Sequence, residues 1–209
     1  NKQATYNWQM NAAGLAAVWA KDNTRAEIFN ALSRREVYAT TGPRISLRFF
    51  GGYDFHQDDL ALESLVANGY EKGIPMGGEL NAKKDAPPSF LFAAMKDPRG
   101  ANLDRLQIVK GWIEKEEMKE KVFIIAWSDE RPVDEEGNIT PVANTVNFEE
   151  ATWADTVGDA SLIGIWSDLE HDPGKAAVYY ARVLQIPTPR WTLYDKVRFG
   201  IKDMDDEIP

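Results

Sequence analysis

The stretch LQIVKGWIEKEEMKEKVFIIAWSD, residues 106–129, decides the fold class. It holds two apolar runs, LQIVKGWIE and KVFIIAWSD, on either side of the charged segment KEEMKE. Apolar runs that are rich in Ile, Val, Phe and Trp and are interrupted by a short polar segment are typical of paired antiparallel strands. The stretch therefore predicts a β-hairpin.

Further strand patterns lie on both sides of this hairpin. The segment RISLRFFGG, residues 44–52, alternates with period two through Ile45, Leu47 and Phe49. We also predict strands in EVYATT, SFLFAAMKD, SLIGIWSD and AAVYYARVLQIP, and an extended end in TPRWTLYDKVRFG. Because Gly, Pro, Asp and Asn clusters separate these runs, we expect a mainly β fold of the α+β class, with an antiparallel β-sandwich-like module.

One helix is predicted near the start of the chain. In NTRAEIFNALSRR, residues 23–35, either Asn23 or Thr24 is the expected N-cap. Its apolar stripe is formed by Ile28, Phe29, Ala31 and Leu32. Residues 1–22 are expected to be irregular. We therefore divide the chain into residues 1–50, a helix–strand part of an α/β layer, and residues 51–209, a β-rich accessory module.

Composition restricts the partners and the compartment. The chain has 33 acidic and 24 basic side chains, and a net charge of −9 disfavours a nucleic-acid partner. No apolar run reaches the roughly 20 residues that span a bilayer, so a soluble protein of the cytoplasm or periplasm is expected. The chain starts at Asn1 without a signal-peptide pattern, and we expect it to be a piece of a longer protein.

The residue types available also restrict the chemistry. The absence of Cys excludes thiolate catalysis and disulfides, and only His56 and His171 could supply imidazole. Because metal sites that activate water usually take several imidazole ligands, a His-rich catalytic metal centre cannot be assembled from this chain alone. No serine lies in a nucleophile-elbow pattern.

The segment YATTGPRI, residues 38–45, offers a candidate anion site. Thr40, Thr41, Gly42 and Arg44 place two hydroxyls, a backbone amide and a guanidinium at a strand end, where they could bind a phosphate or carboxylate. The alternative is a tight turn in which Gly-Pro interrupts the strand. The residues alone leave both open.

Two acidic stretches are weaker candidates. Asp54, His56 and Asp58 would share one face and could bind a divalent ion if the preceding strand continued; the alternative is a solvated loop. The segment DEEGN, residues 134–138, has the oxygens of a calcium loop but not its spacing, so a hairpin turn is the alternative to a calcium-stabilised module. The segment DLEHDP around His171 is read as a turn.

The tryptophans give a further alternative, a carbohydrate-binding module. Trp112, Trp127 and Trp166 lie in predicted strands and are expected in the core, whereas Trp153 and Trp191 lie near loops and could stack on a sugar or peptide.

Four segments together carry a family resemblance: NTRAEIFNALSRREVYATTGPRI, GIPMGGEL, DPRGANLDRLQIVKGW and YYARVLQIPTPRWTLYD. They resemble the C-terminal part of a large bacterial family of unknown function. Longer members of that family look like PHP-type (polymerase and histidinol phosphatase) metal-dependent phosphoesterases. The resemblance extends over nearly the whole chain.

The resemblance implies a function for the longer protein. It implies a divalent metal held by His and Asp motifs upstream of Asn1, which would lower the pKa of a bound water and offset charge on a phosphoester. Residues 1–50 would then be the end of the catalytic domain, and Thr40, Thr41, Gly42 and Arg44 would face the substrate phosphate. The expected partners are that upstream domain and a small phosphoester, and this chain alone is expected to be inactive. The alternative is a non-catalytic module that binds carbohydrate or docks on a partner domain.

Overall fold

The computed structural model describes residues 14–201. With 37% strand and 16% helix, the protein is mainly β, which confirms the predicted class. The strands form three antiparallel sheets with two, four and three strands.

The four-stranded sheet has the order β4-β3-β5-β8, where β3 is Ser46–Gly52, β4 is Gly73–Pro75, β5 is Ser89–Met95 and β8 is Ser161–Ser167. The three-stranded sheet has the order β7-β6-β9, where β6 is Leu103–Glu114, β7 is Glu117–Trp127 and β9 is Ala177–Gln185. Both sheets use neighbours that are distant in sequence, so the sandwich-like body depends on long-range pairing.

The predicted hairpin is confirmed as β6 and β7, with a shorter turn than its charge pattern suggests. Lys115 and Glu116 alone form the turn, and both have positive φ. This is the backbone form that favours the two-residue turns of β-hairpins. Most of the charged segment KEEMKE is therefore strand, and its pairs Ile113–Met118 and Glu114–Glu117 extend past the last pair between β6 and β9.

The main core lies between the two larger sheets. It takes residues from β3, β5, β6 and β8, namely Leu47, Phe49, Phe90, Phe92, Ala94, Leu103, Leu106, Ile108 and Leu162. A second cluster contains Phe50, Phe55, Leu65 and Leu91. Because Phe49 and Phe50 belong to different clusters, β3 buries apolar side chains on both of its faces.

The start of the described chain forms a small separate layer. It comprises β1 (Leu15–Val18), α1 (Arg25–Ser33) and β2 (Val37–Thr40), and β1 pairs with β2. The Glu27 amide donates to Thr24 Oγ1 at 3.3 Å, which confirms the predicted N-cap. The strand β1 corrects the expectation of an irregular entry over residues 14–22, and residues 1–13 lie outside the described part.

Two further helices were not predicted. The first, α2 (Leu65–Lys72), follows a 3₁₀ helix at Gln57–Leu60. The second, α3 (Trp191–Phe199), occupies a segment that was predicted to be extended, so that prediction is wrong. Its C-cap, Gly200, adopts the left-handed conformation, which commonly ends a helix.

The small layer is tied to the four-stranded sheet through Trp19. The Trp19 indole donates to the Leu47 carbonyl at 2.9 Å, and the Arg48 guanidinium lies 3.5 Å from the centre of the Trp19 ring. The boundary proposed after residue 50 lies within β3, which pairs with β5 along its whole length. Within residues 14–201, no helix has the length and apolar character to cross a bilayer.

Candidate functional site

The outer side of α1 is the most exposed apolar feature near the small layer. Ala31 is the only residue of α1 that is buried, whereas Phe29 is 67% exposed and Leu32 is 49% exposed. Together with Arg25 and Ile28 they follow the i, i+3, i+4, i+7 spacing of one helix face. We call these four residues the α1 surface; they line a shallow open depression.

The predicted anion site is a turn that already holds a carboxylate of the chain itself. The Arg44 amide donates to Asp97 Oδ2 at 2.7 Å, and the Arg99 amide donates to Asp97 Oδ1 at 2.9 Å. These amide donors hold the pKa of Asp97 below its usual range. Arg44 is exposed, and Thr40 Oγ1 is buried with no hydrogen-bond partner in the described structure.

The turn therefore has features of a structural turn and features of an anion site. The carboxylate of Asp97 satisfies the Arg44 amide, as a structural turn requires. Thr41 and the Arg44 side chain are exposed and open to a bound anion, whereas the unpartnered Thr40 hydroxyl is buried and would reach one only after the turn moved. Gly42 lies in open space, since a Cβ added to it would meet no atom within 4 Å.

The weak metal candidates do not lie on one strand face. The strand β3 ends at Gly52, so Asp54, His56 and Asp58 fall in the following loop and 3₁₀ helix. All three are exposed, and Asp54 lies 3.6 Å from Lys83 Nζ. Among residues 14–201, no group of three or more His, Asp and Glu could hold a metal ion. The described residues thus do not fit the metal centre implied for the longer protein.

The acidic segment at residues 134–138 forms a hairpin turn. Val133 bridges Ile139, and the Asn138 amide donates to Asp134 Oδ1 at 2.7 Å. The Asn138 bonds lower the pKa of Asp134. This carboxylate is therefore engaged in closing the turn, which favours the turn over the calcium loop.

A buried polar cluster that the sequence analysis missed joins the two larger sheets. Asp168, directly after β8, is completely buried. Its Oδ2 accepts hydrogen bonds from Lys110 Nζ of β6 at 2.5 Å and from the Tyr179 hydroxyl of β9 at 2.6 Å. The Glu170 amide donates to its Oδ1 at 3.0 Å.

Electrostatics in this cluster favour the charged carboxylate. Burial by itself would raise the pKa of Asp168, but hydrogen bonds from Lys110 and Tyr179 and the Lys110 charge outweigh it, so the pKa is lowered. Burial and the hydrogen bond to Asp168 raise the pKa of Tyr179. Because the donors and acceptors satisfy one another, the cluster is suited to holding the sheets together and not to proton transfer.

A signal for this cluster is present in the sequence. Lys110 lies in the apolar run LQIVKGW at the same alternation position as Ile108, which is in the core. A lysine on the buried face of a strand requires a paired anion. The sequence does not indicate which of the 33 acidic side chains pairs with it.

Of the tryptophans expected in the core, Trp166 packs against the main cluster. Trp112 instead lines a polar cavity together with His171. Trp153 and Trp191, the two tryptophans that could stack on a sugar or peptide, are both half-buried.

Comparison with known proteins gives a family but no activity. No protein with a curated description and no solved structure matches this chain. The family DUF3604, described as a protein of unknown function, matches residues 1–209. The match covers the whole chain, and the chain therefore belongs to the DUF3604 family.

Proposed function

We propose that this chain is the C-terminal part of a PHP-type metal-dependent phosphoesterase, in which the α1 surface packs against the rest of the catalytic domain and residues 51–209 form a β-rich accessory module. The observation that carries the proposal is the exposure of Phe29 (67%) and Leu32 (49%) on one face of α1. Large apolar side chains grouped on a polar surface commonly mark an interface.

The small layer is poorly covered without such a partner. Two-stranded sheets are marginal by themselves, and β1 with β2 is a two-stranded sheet. Leu15 of β1 is also 47% exposed. An adjoining domain that covers α1 would bury these side chains, which stabilises by about 1.5–3 kcal/mol for each large apolar side chain that becomes fully buried.

The proposed division of labour follows from the residues present. The described residues hold no three-ligand metal group, so the proposal gives the metal to the adjoining domain. Arg44 is the residue of this chain that we assign to the substrate phosphate, with Thr40 and Thr41 beside it. Because a guanidinium keeps its proton near neutral pH, Arg44 would stabilise negative charge and would not transfer a proton.

The first test is the coding sequence upstream of Asn1. The proposal predicts several His and Asp metal-ligand motifs there. An upstream sequence that lacks them would contradict the phosphoesterase assignment and would leave the alternative, a non-catalytic module that docks on another partner.

The second test compares two substitutions in the longer polypeptide and in this chain alone. Phe29→Ser is expected to be nearly neutral in the chain alone but to destabilise the longer protein by about 1.5–3 kcal/mol, because only there is Phe29 buried. Val178→Ser is the matched control, since Val178 is 69% exposed on β9. Chemical denaturation measures both, and an equal effect of Phe29→Ser in the two proteins would contradict the docking role.

A further inference from the structure

A small polar cavity lies beside the buried cluster, where β6 and β9 approach the turn that follows β8. Its volume is about 140 Å³. Pockets for drug-sized ligands are roughly 300–1,000 Å³, so this cavity has room for a single small ring. Trp112 and His171 contribute to its wall, and Trp112 is half-buried.

The core face of β6 changes character toward this cavity. Ile108 lies in the main core, Lys110 is 7% exposed, and Trp112 and Glu114 are partly exposed at the next two positions of the same alternation. The face therefore runs from apolar to polar along one strand. The cavity is the polar end of the space between the two sheets.

The charges around the cavity are balanced in pairs. Lys110 is bound to Asp168, and Lys121 Nζ lies 2.6 Å from a Glu170 carboxylate oxygen. Lys175 Nζ donates to Glu114 Oε1 at 2.8 Å. Because each lysine is paired, the cavity has no cationic excess to attract an anion.

Asp172 adds a further carboxylate to the wall. Its pKa is lowered, the largest cause being the hydrogen bond from the Gly174 amide. The wall therefore presents ammonium donors and carboxylate acceptors together. A ligand whose groups both donate and accept hydrogen bonds suits such a lining.

His171 is the group that most clearly lacks a partner. Both of its ring nitrogens are buried, and neither has a hydrogen-bond partner in the described part of the chain. The turn that carries His171 is otherwise well fixed, since the His171 amide donates to the Asp168 carbonyl at 3.2 Å. Buried polar groups are normally satisfied, and a turn of the imidazole toward the cavity would allow a bound hydroxyl to satisfy one nitrogen.

We propose that the cavity between Trp112 and His171 binds a neutral polyhydroxy compound the size of one sugar ring. The apolar C–H face of the ring stacks on the Trp112 indole. Its hydroxyls exchange hydrogen bonds with Glu114, Asp172 and His171. This site is independent of the α1 surface and of the proposed phosphoesterase.

Titration of the ¹⁵N-labelled chain, followed through the Trp112 indole N–H signal, tests the proposal. The signal is assigned by its loss in Trp112→Leu, since the chain has seven tryptophans. The probes are D-glucose, D-galactose, D-mannose, N-acetyl-D-glucosamine and myo-inositol, with inorganic phosphate as the charged comparison. At least one neutral probe is expected to shift the signal saturably, and phosphate is not.

Variants separate stacking from general effects, with affinities measured by calorimetry. Trp112→Leu is expected to weaken binding by about tenfold or more. Ile113→Ala is the control, because Ile113 is the next residue of β6, points to the opposite face and is 63% exposed. If Trp112→Leu does not fold, Glu114→Gln and His171→Phe are expected to weaken binding instead.

Three outcomes would overturn the proposal. One is the absence of a saturable shift with every neutral probe, and another is a saturable shift with phosphate alone. The third is equal weakening by Trp112→Leu and Ile113→Ala. None of these outcomes bears on the docking role of α1.

Discussion

Single residues decide how the two sheets are held together. The carboxylate of Asp168 accepts hydrogen bonds from Lys110 of β6, 58 residues away in sequence, and from Tyr179 of β9, 11 residues away. A buried pair of this kind is weak support for stability as a whole, but breaking it is costly because one charge is left buried and unpaired. Asp168 is therefore the residue at which a small change should have a large effect.

The substitution Asp168→Asn should destabilise the fold by about 3–5 kcal/mol, because it leaves the Lys110 ammonium without its counter-charge. Urea denaturation measures the change. Glu117→Gln is the control, since the Lys119–Glu117 pair is exposed and such pairs contribute about 0–1 kcal/mol. A loss below about 1 kcal/mol for Asp168→Asn would show that the pair does not hold the sheets.

Asp168 should also make the free energy of unfolding depend on pH. The pKa of Asp168 is lowered in the folded state, so its stabilisation is fully present above the unfolded value of about 4 and is lost as the pH falls toward the folded value. The difference in unfolding free energy between wild type and Asp168→Asn should therefore narrow below about pH 4. Denaturation curves of both proteins across that range measure it. A difference that stays constant would contradict the charged state of Asp168.

The sequence did not predict which residues far apart in the chain contact each other. The alternation of β6 indicates that Lys110 faces the core, but its partner lies 58 residues away in sequence. Asp97 illustrates the same limit, because the carboxylate that fills the Arg44 turn comes from 53 residues further along. Neither contact can be recognised from the sequence around the residues that make it.

At the scale of elements, local sequence patterns predicted a helix or strand correctly where tertiary packing favours the same structure. The Thr24 cap predicted α1, and the apolar runs predicted β6 and β7. The segment of α3 was wrongly predicted to be extended, because Trp, Thr, Tyr, Val and Phe favour strands. Its helix signals were nevertheless present in Gly200 and in the basic last turn of Lys196 and Arg198.

The helix α2 was missed for a packing reason. Gly69 lies inside it and weakens its intrinsic helix propensity. A Cβ at this position would lie 2.6 Å from the Phe50 ring, so the glycine allows β3 and α2 to approach closely. Sequence reasoning sees the unfavourable glycine but not the contact that requires it.

The contact between the small layer and the turn after β4 predicts a second stability effect. Gly77 has a φ of +82°, and an added Cβ would lie 2.2 Å from the Arg35 carbonyl oxygen. Gly137 is a matched control with a φ of +83° and open space around it. Gly137→Ala should cost about 1–2 kcal/mol from its left-handed backbone alone, and Gly77→Ala should cost more. Thermal unfolding measures both, and equal losses would contradict the close contact.

At the scale of the whole molecule, the chain presents a packed β body and one under-covered layer. The body has its own core between two sheets, whereas α1 buries only Ala31. The family assignment adds no activity to this picture. We propose the docking role for the small layer because Phe29 and Leu32 are exposed together on one face of α1; the β body also exposes single apolar side chains, such as Met118 and Val178.

Phosphatase activity provides a test at this scale. Under the proposed function the chain alone should hydrolyse no phosphoester when manganese or zinc is added, because the proposal assigns the metal ligands to the adjoining domain. Colorimetric assay of released phosphate measures this. Turnover that persists through purification and is lost in Arg44→Ala would contradict the account, since the reaction would then belong to these residues.

Hydrogen exchange at α1 tests the central claim most directly. Amide exchange over residues 25–33 is compared between this chain and the longer polypeptide, with residues 106–114 of β6 as the internal reference. Docking predicts that exchange in α1 slows by about tenfold or more in the longer protein while exchange in β6 is unchanged. Equal exchange of α1 in both proteins would show that its apolar face is not covered by an adjoining domain.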